Sequence, residues 1–318
     1  MFEAQLIYFI FFLSFLVVVF FLKAKNILVV SLLNSTFSLF TVIMYLLLDA
    51  PDVAMTEAAV SVLASVFSIY AIRALYLPPY NFEDSFKPLL FLLSLGLAGL
   101  LIYASCDLPK FGDADAISHQ KVAAYYLENT AKDINIPSIV AAILASYRGY
   151  DTLLETLVIL IGGVSVLLVS ERTITIAEKT DLLVTSMTRF IFPAILLFAL
   201  YLQVHGEISP GGGFQAGAII AISFILYSMS FGKYVFSIDK LKNIAVIGVG
   251  IYVLAGIIGL VKGEEFLNYN VLAESYTLSQ KIGIITVELG VGTAVGATML
   301  LIYFCLVLND YASNQYKL

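Results

Sequence analysis

Tryptophan is absent from this sequence, histidine and cysteine occur twice each, and only 13% of the residues are charged. Each shortage closes off a class of function. Two cysteines, Cys106 and Cys305, cannot build a disulfide framework or a cysteine metal centre. Cys305 lies within an apolar run and reads as a packing residue, while Cys106, just past another run, reads as a surface thiol. The formal net charge is −6 and no basic cluster exists, so nucleic acid is not an expected partner. No residue set marks a catalytic centre, a metal site or a cofactor.

Apolar sequence is what the chain does have. Of its 318 residues 60% are hydrophobic, and the mean hydropathy is +0.96. Soluble domains are roughly 45–50% apolar. The excess comes as uninterrupted runs such as "AQLIYFIFFLSFLVVVFFL". About 20 such residues at 1.5 Å each cross a hydrocarbon core of about 30 Å. These runs predict an all-α polytopic membrane protein with nine transmembrane helices, near 4–22, 27–48, 51–72, 88–104, 150–169, 184–204, 213–231, 243–261 and 281–308. The first run is followed by "KAKN" rather than a small-residue cleavage site, so it reads as a retained helix. The apolar stretch 137–147 is too short to span and reads as a re-entrant or interfacial helix, and a surface helix is expected near 117–129.

Lysine and arginine set the expected orientation. With the N-terminus outside and the C-terminus inside, Lys23, Lys25, Arg73, Lys87, Arg172, Lys179, Arg189, Lys233, Lys240, Lys242 and Lys317 all fall on the cytoplasmic side. Lys110, Lys121, Lys132, Arg148, Lys262 and Lys281 fall on the other, together with most loop acids.

Two features could carry chemistry. The first is "HGEISPGGGFQAGAII", residues 205–220, with Pro210, Gly211, Gly212 and Gly213 in sequence. A phosphate-binding loop would need a lysine and a serine or threonine after its last glycine, and none follows. The stretch reads as a tight hairpin between two spans, with positive φ at glycine. The free amides of the helix that follows could alternatively attract an anion or a neighbouring carboxylate.

The second feature is a set of acids inside the apolar runs. Glu57, Glu155 and Glu288 each lie six or seven residues from one end of an expected span, roughly 10 Å deep. A carboxylate there costs a few kcal/mol unless protonated, paired or hydrated, so each is a functional candidate. Hydrogen bonding to a neighbouring helix, or reaching up to water, is the plainer alternative. Small residues flank all three, including Gly162 and Gly163 after Glu155 and a GxxxG pair, Gly292 and Gly296, after Glu288. Such faces pack closely in membranes, so the acids are expected to point into protein. Asp52, at a helix start, also suits ordinary capping. No lysine lies deep in a span, and no two matching spans are broken midway, so neither a self-sufficient pump nor a carrier with a midplane site is indicated. A subunit lending carboxylates and helix faces to a larger assembly fits better.

"ISPGGGFQAG" with "ITVELGVGTAV" resembles the B subunit of Mrp-type multisubunit cation/proton antiporters, over about residues 184–308. "LDAPDVAMTEAAVS" resembles a small three-helix subunit, or the matching part of the large Mrp A subunit, related to membrane subunits of respiratory complex I. "YYLENTAKDINIPSIVAAILASYRGYDTLLET" resembles the next element of the same system, found also in membrane-bound hydrogenases. The resemblance implies a fusion of three modules, 1–80, 81–180 and 181–318. It departs from the family at Glu207, where a histidine often stands near the hairpin. It also implies a prokaryotic plasma-membrane location, large antiporter-like subunits as partners, and Na+ and H+ as transported ions. Asp52, Glu57, Glu155 and Glu288 inherit a part in an ion or proton path. A membrane-arm subunit of an ion-pumping hydrogenase or related oxidoreductase is the alternative it leaves open.

Overall fold

The computed structural model describes residues 2–24, 26–75, 87–110, 112–113, 115–170 and 182–315. The expected module borders at 80/81 and 180/181 lie outside these, as do Lys25, Arg172, Lys179 and Lys317 from the orientation argument. Among the described residues every regular element is helical, and nine helices are long and apolar enough to cross a membrane.

Two compact units make up the chain. One, within Tyr76–Asn129, contains α4 (Lys87–Ser105), whose apolar span is exposed along its whole length. Ser118–Ala123 forms a π-helical turn that runs into α5 (Ala124–Asp133), in place of the single surface helix expected near 117–129.

The other unit holds Met1–Leu75 and Thr130–Leu318. Its spans are α1 (Phe2–Lys23), α2 (Ile27–Leu47), α3 (Pro51–Leu75), α7 (Gly149–Val169), α8 (Leu182–His205), α9 (Gly213–Phe231), α10 (Ile238–Val261) and α11 (Tyr276–Gln315). The short α6 (Ile139–Ala142) continues through a π-helical turn to Tyr147. Local chemistry sets several ends. The Asn26 side chain caps α2 through Leu28 N at 2.9 Å, and Pro51 opens α3, where the missing N–H costs nothing. Two helices start earlier than the hydropathy suggests, α10 at Ile238 and α11 at Tyr276. Hydropathy marks only the apolar part. The backbone ladder of α10 continues through charged residues from a Ser237 cap.

α11 is the axis of this unit, packing on α3, α7, α8, α9 and α10. Lipid is as apolar as leucine, so close backbone approach rather than water exclusion holds such helices together. A Cβ on Gly217 would lie 2.5 Å from Gly292 O and 3.0 Å from Gly296 N, so α9 crosses α11 where neither helix has side chains. On the other flank a Cβ on Gly248 would lie 2.5 Å from Ala294 N and 2.7 Å from Gly290 O, so α10 crosses equally close. The 139–147 segment does not span. Tyr269 Oη donates to Ala145 O and Tyr252 Oη to Gly149 O, both at 2.7 Å, which pins it and the start of α7 against α10 and the short turn Tyr269–Val271 that follows α10.

Candidate functional site: a carboxylate cavity under the glycine hairpin

The hairpin joins α8 to α9. Gly211 and Gly212 have φ of 158° and 125°, and Gly212 serves as the N-cap of α9 with no side chain to offer. Its amides are met from outside. Gly211 N donates to Asp52 Oδ1 at 3.0 Å, and Gly212 N to Leu202 O at 3.2 Å. Asp52, in the first turn of α3, thus bonds the hairpin. Pro210 is exposed at the turn, and Gly213 packs so closely on α11 that a Cβ there would collide with Glu288 O.

Below the hairpin lies a cavity of about 230 Å³, room enough for several waters. Asp52, Thr56, Glu155, Gln215 and Glu288 line it, with Gly206 and Gly211–Gly213 above and the α6 segment at one side. Among the described residues neither lysine, arginine nor histidine lines it. Glu288 lies about 18 Å along α11, cradled by two glycines: Cβ atoms on Gly206 and Gly212 would sit 3.1 Å and 3.4 Å from its oxygens. Glu288 and Glu155 have no hydrogen-bonding partner among the described residues. Glu155 is exposed on α7 at the cavity's edge, while the Thr156 beside it is buried.

Glu57 stands apart from the cavity. It is half-buried between α2 and α3 and accepts a hydrogen bond from Ser38 Oγ. Farther along the same seam, Ser35 and Ser65 hydroxyls meet at 2.6 Å. Gly296 faces Gly217, Gly292 faces Gln203 and Gly213, and Gly163 faces Thr298, whereas Gly162 has nothing near it among the described residues.

Glu207, behind the hairpin, is 5% exposed. One oxygen pairs with Lys281 Nζ; the other has no hydrogen-bond partner among the described residues. Its carbonyl accepts from Ser138 N at 2.9 Å, which ties α6 to the hairpin. Removing one partner of such a pair strands a buried charge, whereas removing both does not. Lys281→Met is therefore expected to lower the thermal stability of the detergent-extracted protein. Adding Glu207→Gln should recover most of that loss, which a double-mutant cycle measures. Additive losses would show that the two residues act independently.

Sequence reasoning passed over Gln215. Its signal was available: a lone amide in the first turn of an apolar span, two residues past three consecutive glycines. Gln203 is a second buried amide, with an Nε2 unpartnered among the described residues, on an apolar groove between α8, α9, α10 and α11.

Residues 183–301 match a domain related to the MnhB subunit of Na+/H+ antiporter, and residues 12–76 match a family described as the D subunit of MBH. The B subunit of the Na(+)/H(+) antiporter of Bacillus subtilis (strain 168) is 36% identical over 96 residues, which cover 29% of this chain and 67% of that protein. The chain belongs to the MnhB-related family of antiporter subunits. A longer relative of this MnhB-family chain, a probable A/B subunit of a K(+)/H(+) antiporter in Rhizobium meliloti (strain 1021), is 27% identical over 236 residues. That match takes in 61% of the chain but only 23% of the relative's length. Among solved structures, the Mrp complex from Dietzia sp. DQ12-45-1b contains a chain of the same fold, with TM-score 0.72 at 21% identity over 93% of this chain and 34% of that one. A chain of the membrane-bound sulfane sulfur reductase, an archaeal respiratory membrane complex, matches with TM-score 0.55 at 27% identity, covering 70% of this chain and 97% of that one.

Proposed function

We propose that the chain is a non-catalytic membrane subunit of a multisubunit monovalent-cation/proton antiporter, in which Asp52, Glu155 and Glu288 line part of an ion or proton path and Glu57 lies on its flank. The observation that carries this reading is the cavity itself: three carboxylates on three helices, with no basic side chain among the described residues of its lining. Unpaired carboxylates are costly at such depth, and the cost is met when protons, water or a cation enter. Exposed Glu155, with the exposed apolar Leu154 and Val158 beside it on α7, supports a chain whose faces other subunits cover. The relatives' names supply the ions, sodium or potassium against protons. Large antiporter-like subunits are the partners, and the plasma membrane of a prokaryote, N-terminus outside, is the setting.

A second reading has its own support. The N-terminal match to the D subunit of MBH and the likeness to a chain of the sulfane sulfur reductase fit a membrane-arm subunit of an ion-pumping oxidoreductase. Mild-detergent purification of the tagged chain from native membranes, with mass spectrometry of what stays bound, separates the two. The antiporter reading expects large antiporter-like subunits and no redox proteins. Iron–sulfur or nickel–iron subunits in the same particle would overturn it in favour of the second.

A further inference from the structure

Among the neutral polar side chains lining the cavity, Gln215 alone makes no hydrogen bond to any described residue. Thr56 donates to Asp52 O within its own turn of α3, and Thr152 of α7 donates back to Leu144 O of the π-helical turn before it. Gln215 is 8% exposed, in the first turn of α9. An amide that faces a cavity and has no partner in the protein is left to bond whatever occupies that cavity. Gln215 Oε1 and Glu288 Oε1 converge on the space beneath the hairpin. They lie 3.5 Å and 3.4 Å from the single point where a Cβ on Gly212 would sit. Glycine at 212 leaves that space open. Asp52 borders the same cavity, one of its oxygens already engaged by Gly211 N at 3.0 Å.

The donor chemistry narrows the occupant. The polar lining is oxygen-rich, with two carboxylates near the hairpin, an amide carbonyl and hydroxyls, and its described residues include no thiol or imidazole. Such a set suits a hard cation and does not suit zinc, copper or iron. Among the described residues no three acidic, histidine or cysteine side chains converge closely enough to hold a metal ion. That count is too poor for a divalent ion stripped of its water, but one carboxylate with a neutral carbonyl and retained waters matches a single positive charge.

We propose that Glu288 and Gln215, with Asp52 at the edge, bind a partly hydrated sodium or potassium ion beneath the glycine hairpin. The proposal rests on the ion-path reading above and adds to it a ligand and a place. Glu288 holds either a proton or the metal cation, so each ion displaces the other. Gln215 supplies an oxygen to the cation and nothing to the proton, which makes it the residue that separates metal binding from protonation.

The test uses the purified native complex and dicyclohexylcarbodiimide, which modifies protonated carboxyls in apolar surroundings. Labelling of the Glu288 peptide is followed by mass spectrometry against graded sodium, potassium and lithium chloride, with choline chloride holding ionic strength constant. Sodium or potassium is expected to protect Glu288 in a saturable way, and choline not to. In Gln215→Leu the protecting concentration should rise by at least about tenfold, equivalent to about 1.4 kcal/mol, while labelling without metal persists. Gln215→Asn, which keeps the amide on a shorter arm, controls for misfolding and should fall between the two. Labelling that rises as pH falls but ignores every metal ion would overturn the cation site and leave the proton path standing. Protection unchanged in Gln215→Leu would also overturn the assignment of Gln215. Normal transport in a Glu288→Gln complex would instead bring down the ion-path reading itself.

Discussion

Glu288→Gln, placed in the assembled complex, is expected to slow cation-dependent proton exchange by at least about tenfold, a change of about 1.4 kcal/mol, with subunit levels unchanged. Glutamine keeps the shape of the side chain between Gly206 and Gly212 but cannot exchange a proton or hold a charge. Assembly should survive because Glu288 makes no hydrogen bond to the described residues that the fold requires, and its neighbours Val287 and Val291 supply the packing on that stretch of α11. Glu57→Gln is expected to act in the same direction. There the amide can still accept from Ser38, so any loss reports the lost charge rather than a broken seam. The measurement is proton flux in inverted vesicles driven by a sodium or potassium pulse, scaled to complex content. Full flux in both variants would remove these carboxylates from the path.

Gly212→Val is expected to reduce the yield of folded chain severely, for a reason independent of transport. Gly212 has φ of 125°, a conformation that a β-branched residue rarely adopts. Holding such a residue there costs on the order of 1–3 kcal/mol, and the valine methyls would also press on Glu288 and Gln215. Gly212→Ala isolates the backbone share, because its methyl would meet those oxygens only at 3.4–3.5 Å. Its yield should lie between wild type and valine in fluorescence-detected size-exclusion chromatography. Wild-type yield for both would show that the hairpin tolerates a different backbone path.

How far the sequence reaches is clearest at particular residues. Glu288 and Glu155 stood out from a single sequence because a charged residue in an apolar run is costly wherever its helix packs. Gly292 and Gly296 stood out by spacing, although nothing local says that Gly217 of α9 is what they meet. Asp52 looked like a cap for its own helix, and its bond to Gly211 joins residues 159 apart in sequence. Gln215 drew no attention because an amide in an apolar helix commonly finds a partner, and only the assembled cavity shows that this one has none among the described residues.

By itself the sequence determined that the chain lives in a membrane, that nine segments among the described residues are helices of spanning length, and that a glycine turn separates α8 from α9. Those are local matters: hydropathy over about 20 residues, and the conformational freedom of glycine. The tertiary structure alone decided that α11 is the axis, that Asp52, Glu155, Gln215 and Glu288 share one cavity, and that Glu57 sits outside it. In lipid no hydrophobic gradient distinguishes one apolar face from another, so partner choice rests on backbone approach and a few polar contacts between residues far apart in the chain.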